Sequence, residues 1–210
     1  MRLVCVSDTH EQGRRVAVPD GDVLVHAGDL TYRGTLETIE READWLRSLP
    51  HSHKVVVAGN HDVAFELTPD AARALMHGLT YLQDEAANLG GLRFWGSPWQ
   101  PWFNSWAFNL ERGPALRAKW DLIPAGLDVL VTHGPPAGHG DVVLRGPAVG
   151  CEDLLEAVRR TGPRVHVFGH IHEGYGITEA HGTRFVNAST CDARYRPVQP
   201  PIVIDLEPRT

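Results

Sequence analysis

The 210-residue chain is poor in cysteine, short of positive charge and without long apolar runs, and each shortage removes a class of protein. Its three cysteines, Cys5, Cys151 and Cys191, are odd in number and show no Cys-x-x-Cys spacing. That argues against a disulfide framework and for a reducing interior. Lysine and arginine total 20 against 26 acidic residues, a net charge of −6. No basic footprint for a long nucleic acid results, although single basic residues can still grip a phosphate. No segment approaches the ~18 apolar residues of a membrane span. The apolar stretch in MRLVCVSDTH is too short for a signal peptide. The expectation is a cytoplasmic protein with no membrane partner, in which the formal sequon Asn187-Ala188-Ser189 goes unglycosylated.

Repeats, low-complexity tracts and dividing linkers are also missing, so residues 1–210 are expected to form one domain. Five β-branched runs read as buried strands because they are continuous and not alternating: RLVCV (2–6), DVLVHA (22–27), HKVVVA (53–58), LDVLVT (127–132) and RVHVF (164–168). Helical patterns alternate with them. Residues 35–50 place Leu36, Ile39, Ala43 and Leu46 on one face, residues 68–78 run from Thr68-Pro69 to Gly78, and residues 151–163 stop at Gly162-Pro163. The last third predicts a hairpin turning at His181-Gly182 and a closing strand in PPIVIDLE. The class is α/β or α+β, with mixed sheets and helices outside.

What the chain has in excess is histidine, twelve in all. Their placement carries the function. Each of the five strands ends on His, Asp or Asn: Asp8-Thr9-His10, Gly28-Asp29, Gly59-Asn60-His61-Asp62, His133-Gly134 and Gly169-His170-Ile171-His172. In open α/β sheets the carboxyl edge is where ligand sites form. The i, i+2 pairs Asp8/His10 and His170/His172 would point to one side of an extended backbone. Oxygen and imidazole donors without thiolate suit Mn²⁺, Fe, Zn²⁺ or Mg²⁺ better than a structural zinc knot.

In this order the blocks resemble the calcineurin-like metallophosphoesterase superfamily, whose pattern D-x-H, G-D, G-N-H-[DE], H and G-H-x-H they match from residue 8 to 172. HAGDLT, WGSPWQPWFNSWAFN, THGPPAGHGD, FGHIHEGYG and NASTCD resemble a narrower group, the small class III phosphodiesterase-like proteins that include the animal brain metallophosphoesterase-domain proteins. The resemblance implies a four-layer αββα sandwich and a centre of two divalent metal ions. It assigns Asp8, His10, Asp29 and His172 to one ion, and Asn60, His133 and His170 with a bridging Asp29 to the other. His61 matches a histidine beside the metals that contacts phosphate or protonates the leaving group, and catalysis is assigned to His61 and Asp29. The implied reaction is hydrolysis of a small phosphodiester or cyclic nucleotide. A phosphomonoesterase or nucleotidase with the same centre, a DNA-end nuclease and a low-turnover nucleotide sensor are the rivals. The nuclease lacks its basic stripe.

Weaker features leave alternatives open. Trp95, Trp99, Trp102 and Trp106 with Phe94 and Phe103 form either a wall for a base or a loop packed on itself. Asn60 and His61 are candidate substrate contacts; His139 and Arg145 either reach substrate phosphate or face solvent. Asp62 either orients His61 or a ligand, or holds a turn. His26 and His166, inside strands, are either donors behind the ligands or core residues. His51, His53, His77 and His181 read as surface positions at element ends.

Overall fold

The structure, a computed structural model, describes residues 1–144 and 146–209. Val, Ile and Leu crowd the strand positions, and two mixed sheets result. The first contains Arg2–Val6 (β1), Val23–His26 (β2), His53–Val56 (β3), Thr80–Tyr81 (β4) and Ile202–Asp205 (β13), in the order β13-β1-β2-β3-β4. The second contains Glu85–Leu89 (β5), Leu92–Ser97 (β6), Val129–Thr132 (β9), Val165–Phe168 (β10), Gly176–Ala180 (β11) and Thr183–Asn187 (β12), in the order β11-β12-β10-β9-β6-β5. Gln100–Pro101 (β7) and Asn109–Leu110 (β8) pair separately. The helices are Leu36–Ser48 (α1), Ala64–Leu67 (α2), Pro69–Leu75 (α3), Pro114–Trp120 (α4) and Glu152–Thr161 (α5).

Strand alternation sorts the apolar side chains into three layers of core. Leu3, Cys5, Val23, Val25 and Val55 of the first sheet meet Phe94, Val129, Val131, Val165 and Val167 of the second. On the other face of the first sheet, Val4, Leu24 and Val56 pack on Ile39, Ala43 and Leu46 of α1 and Ala72 of α3. Beyond the second sheet, Trp95, Leu130 and Phe185 pack on Leu116 and Trp120 of α4 and Leu154 and Val158 of α5. The sandwich of two mixed sheets between helices is as expected.

Local chemistry explains most boundaries. Thr35 caps α1 by accepting the Thr38 N–H, and the Cys151 sulfur accepts the Leu154 N–H at the start of α5. Gly162 ends α5 in the left-handed region that lets a helix turn out. His181 (φ 52°) and Gly182 (φ 79°) make the hairpin turn between β11 and β12. Some expectations change. Leu36 is exposed, and Trp45 takes a buried place in α1. Thr68 precedes α3, but its hydroxyl donates to the Ala64 carbonyl at 3.2 Å and caps nothing. His51 is buried, not a surface residue, and its Nε2 lies 3.1 Å from the Pro19 carbonyl oxygen. Among the described residues no helix is long and apolar enough to cross a membrane.

Candidate metal centre

β1, β2 and β3 run parallel, as do β9 and β10, so five carboxyl ends gather at one edge of the sandwich. The loops there are tied to each other before any ligand is considered. Asp8 and His10 donate backbone N–H to the carbonyls of Gly28 and Asp29 (2.9 and 3.1 Å). Between the sheets, the His170 N–H reaches both oxygens of Asp8 (3.1 and 3.0 Å), and the Ser189 hydroxyl donates to Asp8 Oδ2 at 2.9 Å. A side chain at Gly169 would collide with the Asp8 carboxylate and Ser7, so only glycine lets the loop after β10 close on the loop after β1.

Two clusters of donor atoms form, each with its atoms within 4.8 Å of one another: Asp8, His10 and His172, and Asp29, His133 and His170. Asp29 Oδ2 stands between them, 3.4 Å from His133 Nε2 and 3.9 Å from His10 Nε2. Asn60 Oδ1 lies 2.8 Å from His133 Nε2, and Asp8 Oδ1 lies 3.4 Å from His172 Nε2. His61 joins His10 and Asp29 in a third grouping at the side.

The imidazole tautomers make the case for cations. Nδ1 of His10, His172, His133 and His61 lies 3.2, 2.9, 3.0 and 2.9 Å from the backbone carbonyls of Thr31, Asp192, Ala27 and Tyr32. A carbonyl only accepts, so each Nδ1 carries a proton and a neutral ring presents its Nε2 lone pair inward. His10 Nε2 and His172 Nε2 then face each other at 3.3 Å, beside carboxylate oxygens and without a donor between them. Lone pairs converging in this way repel unless a proton or a metal ion lies among them. The residues present therefore fit divalent metal ions.

Protons are the competitors. Burial alone would raise the carboxyls of Asp8 and Asp29, yet His172 beside one and His133 beside the other hold both well below the usual range. Burial works against charged imidazoles, but Asp29 and Asp8 outweigh it and lift His133 and His172 to about 9 each. Burial leaves His170 neutral, pushed down to about 3. For the two raised histidines the folded value lies above the unfolded ~6.5. Their stabilisation of metal-free protein is complete below that value and is lost as pH rises through about 9. Thermal melts of chelated protein should therefore fall between pH 6.5 and 9 by this contribution, while Mn²⁺-loaded protein should not follow that decline. Identical slopes with and without metal would reject the exchange of protons for metal.

A cavity of about 470 Å³ opens over the centre. Asp29, Asn60, His61, His170 and His172 line its floor, and Gln100, Trp102, Phe103, Arg112, Val143 and Tyr195 line its walls. A model of the calcineurin-like phosphoesterase family matches residues 1–174. The chain belongs to that family. Metallophosphoesterase domain-containing protein 1 of Homo sapiens is 47% identical, the alignment covering 98% of this chain and 71% of that protein. UPF0046 protein C25E10.12 of Caenorhabditis elegans is 40% identical over 98% of this chain and 81% of its own length. Among solved structures, TT1561 of Thermus thermophilus shares the fold with a TM-score of 0.59, at 12% identity over 89% of this chain and 88% of that one.

Within this calcineurin-like phosphoesterase the seven candidate ligands are brought together, by a backbone other than the expected one. Asp8 (φ 52°), His10 (φ 42°), Asp29 (φ 54°) and His170 (φ 67°) are left-handed, not extended, so tight turns beyond the strands converge the i, i+2 pairs. His139 is placed elsewhere: its ring lies flat on Phe185 at 3.6 Å and its Nδ1 is 2.8 Å from the Thr178 hydroxyl, away from the residues that line the cavity. Arg145 lies outside the described residues. The aromatic stretch divides its roles. Trp95 is core, and the Trp99 indole donates to Asp84 Oδ2 at 2.9 Å. Trp106 lies 4.0 Å from the His61 ring, and Trp102 and Phe103 line the cavity. Asp62 holds the turn. Asn187 of the sequon is buried, with Nδ2 donating to the Ile171 carbonyl at 2.9 Å.

Sequence reasoning missed Tyr195, Arg112 and Ser189. The Tyr195 ring lies 4.8 Å from His10 and 5.4 Å from His172. Arg112 donates to the carbonyls of Gly150 and Val149 (2.8 and 2.7 Å) at the cavity wall. Only Ser189 lay in a motif already singled out, NASTCD; nothing local marks the other two.

Proposed function

We propose that this metal-dependent phosphoesterase hydrolyses small phosphodiesters, with cyclic nucleotides and nucleotide diesters as the favoured class, using two divalent ions drawn from Mn, Fe, Zn and Mg. The observation that carries the reading is Asp29 Oδ2 set between two donor clusters beneath a mostly apolar cavity. Among the described residues lining that cavity, Arg112 is the one arginine or lysine, and its guanidinium already serves the Gly150 and Val149 carbonyls. A singly charged diester with two substituents suits such walls better than a dianionic monoester.

Asp8, His10, Asp29 and His172 would hold one ion, and Asp29, Asn60, His133 and His170 the other. Bound there, the ions supply Lewis acidity, activation of water and charge neutralisation at phosphorus. The protein's own groups do the rest. His61, fixed by the Tyr32 carbonyl on Nδ1 and by Trp106 on its face, turns Nε2 inward; with a proton on that nitrogen as well, the imidazolium donates to a phosphoryl oxygen or passes the proton to the leaving alkoxide. Trp102 and Phe103 offer apolar surface to the substituents. A cytoplasmic setting accords with three free, buried cysteines.

The test is to chelate the protein, restore Mn²⁺, and compare bis(p-nitrophenyl) phosphate with p-nitrophenyl phosphate. We expect diester cleavage that vanishes with chelator, returns with metal and exceeds monoester cleavage at least about tenfold in kcat/KM, a margin of ~1.4 kcal/mol at the transition state. Preference for the monoester would make the protein a phosphomonoesterase. Two bound ions with neither substrate turned over would make it a nucleotide sensor.

A further inference from the structure

Two buried histidines outside the ligand set lie on inner strands, one in each sheet. His26 ends β2, the middle strand of the first sheet, and His166 lies in β10, inside the second. Val23 and Val25 face the core between the sheets, as do Val165 and Val167. Alternation therefore turns both histidines outward, under the helices. His26 meets Trp45 of α1 edge-on at 6.3 Å, and His166 lies 5.0 and 5.9 Å from Phe168 and Phe185. Both are wholly buried, and Nδ1 of each has no hydrogen-bond partner.

What each does bond is alike. His26 Nε2 lies 3.0 Å from the hydroxyl of Thr9, and His166 Nε2 lies 2.8 Å from the hydroxyl of Thr132. Each threonine is at the carboxyl end of the adjacent parallel strand, Thr9 beyond β1 and Thr132 ending β9. Each also adjoins a proposed ligand: Thr9 sits between Asp8 and His10, and Thr132 precedes His133. Thr132 donates to the Gly134 carbonyl at 2.9 Å, so it can only accept from His166, which fixes the proton on Nε2 and leaves Nδ1 bare. An apolar residue would fill either place without a stranded polar atom. Packing alone does not explain two such imidazoles, each bonded to a threonine beside a proposed ligand.

We propose that His26 and His166 are positioning residues, one to each half of the centre: His26 through Thr9 sets Asp8 and His10, and His166 through Thr132 sets His133. The inference rests on the metal-centre reading above.

The experiment follows Mn²⁺ binding by calorimetry, with thermal melts of the metal-free protein alongside. In the parent protein two binding steps are expected. His26→Leu should weaken one step roughly 10–100-fold, the range for partners behind a metal ligand, and His166→Leu the other. In a His133→Ala background, which keeps the Asp8–His10–His172 cluster, His26→Leu should weaken the remaining step by that factor and His166→Leu should leave it alone. Thr9→Val should reproduce His26→Leu, and the two together should do no more than either. His26→Gln, which returns a hydrogen-bonding group near the Nε2 position, should restore most of the affinity. Melting of the metal-free leucine variants should stay close to that of the parent, because leucine suits the apolar surroundings and removes the unpartnered Nδ1. Unchanged binding steps in both leucine variants would overturn the inference, as would equal weakening of both steps by each variant. Should His26→Leu not fold, Thr9→Val gives the same reading, and should His166→Leu not fold, Thr132→Val does. A parent protein that takes up no Mn²⁺ would instead overturn the metal centre itself, and this inference with it.

Discussion

Asp29→Asn should lower metal-dependent kcat/KM by at least about a thousandfold while leaving the fold intact. Asp29 is almost fully buried, with Oδ2 between His133 and His10 and Oδ1 accepting the His61 N–H at 2.8 Å. Asparagine keeps the shape and the acceptor for His61 but removes the negative charge that both clusters share. Without that charge, neither ion of the proposed pair is held as before. The electrostatic stabilisation lost is at least that of removing one preorganised group, on the order of 10²–10³, with weakened ion binding added to it. His61→Ala gives the contrast. It removes a group placed for proton transfer, so turnover should fall roughly 10²–10⁴-fold with both ions retained. Metal content measured beside kcat/KM separates the two variants, and full turnover in Asp29→Asn would sink the shared-carboxylate scheme.

The ligands were legible in the sequence for a physical reason. A buried parallel strand reads as an uninterrupted apolar run, so the polar residues that end it stand out, and here every run ends in metal donors. Why they converge was not legible. Left-handed φ at Asp8, His10, Asp29 and His170 is unusual for residues other than glycine, and it depends on loops tied across the two sheets. The division of strands between sheets was hidden too. The runs containing β3 and β9 look alike, yet they belong to opposite sheets, because a continuous apolar run says that both faces are covered and not by what. The hairpin of β5 and β6 escaped notice although Gly90 and Gly91 (φ 55° and 82°) mark its turn, because β5 is half-exposed and carries no apolar run. Tyr195 and Arg112 enter the cavity from segments with no periodicity or motif of their own. Their roles arise only from tertiary structure.

Asp62→Ala should cost on the order of 3–5 kcal/mol of stability, a large share of the 5–15 kcal/mol that holds most domains together. The sequence allowed Asp62 to orient His61, a ligand or a turn, and its hydrogen bonds settle on the turn. Its carboxylate is wholly buried and accepts N–H from Leu30 (3.2 Å), Thr31 (2.9 Å) and Gly59 (2.9 Å) and the Thr31 hydroxyl (2.8 Å). One side chain thus fastens the loop carrying Asp29 to the loop carrying Asn60 and His61. Burial, and then the nearby Asp29, push its carboxyl up to about 6 against those hydrogen bonds, so at neutral pH it remains ionised. Alanine would strand three backbone N–H groups away from water, at about 1–3 kcal/mol each, partly offset because a buried charge goes with them. Asparagine keeps an acceptor oxygen and should lose roughly half as much. Urea unfolding of chelated protein is the measurement, since bound metal would mask a weakened loop by favouring the folded state. If Asp62→Ala unfolds within about 1 kcal/mol of the parent, the two loops are held by something other than this carboxylate. The ligand geometry would then have to come from the strands, from Asp8 and from the Asp29–His61 hydrogen bond.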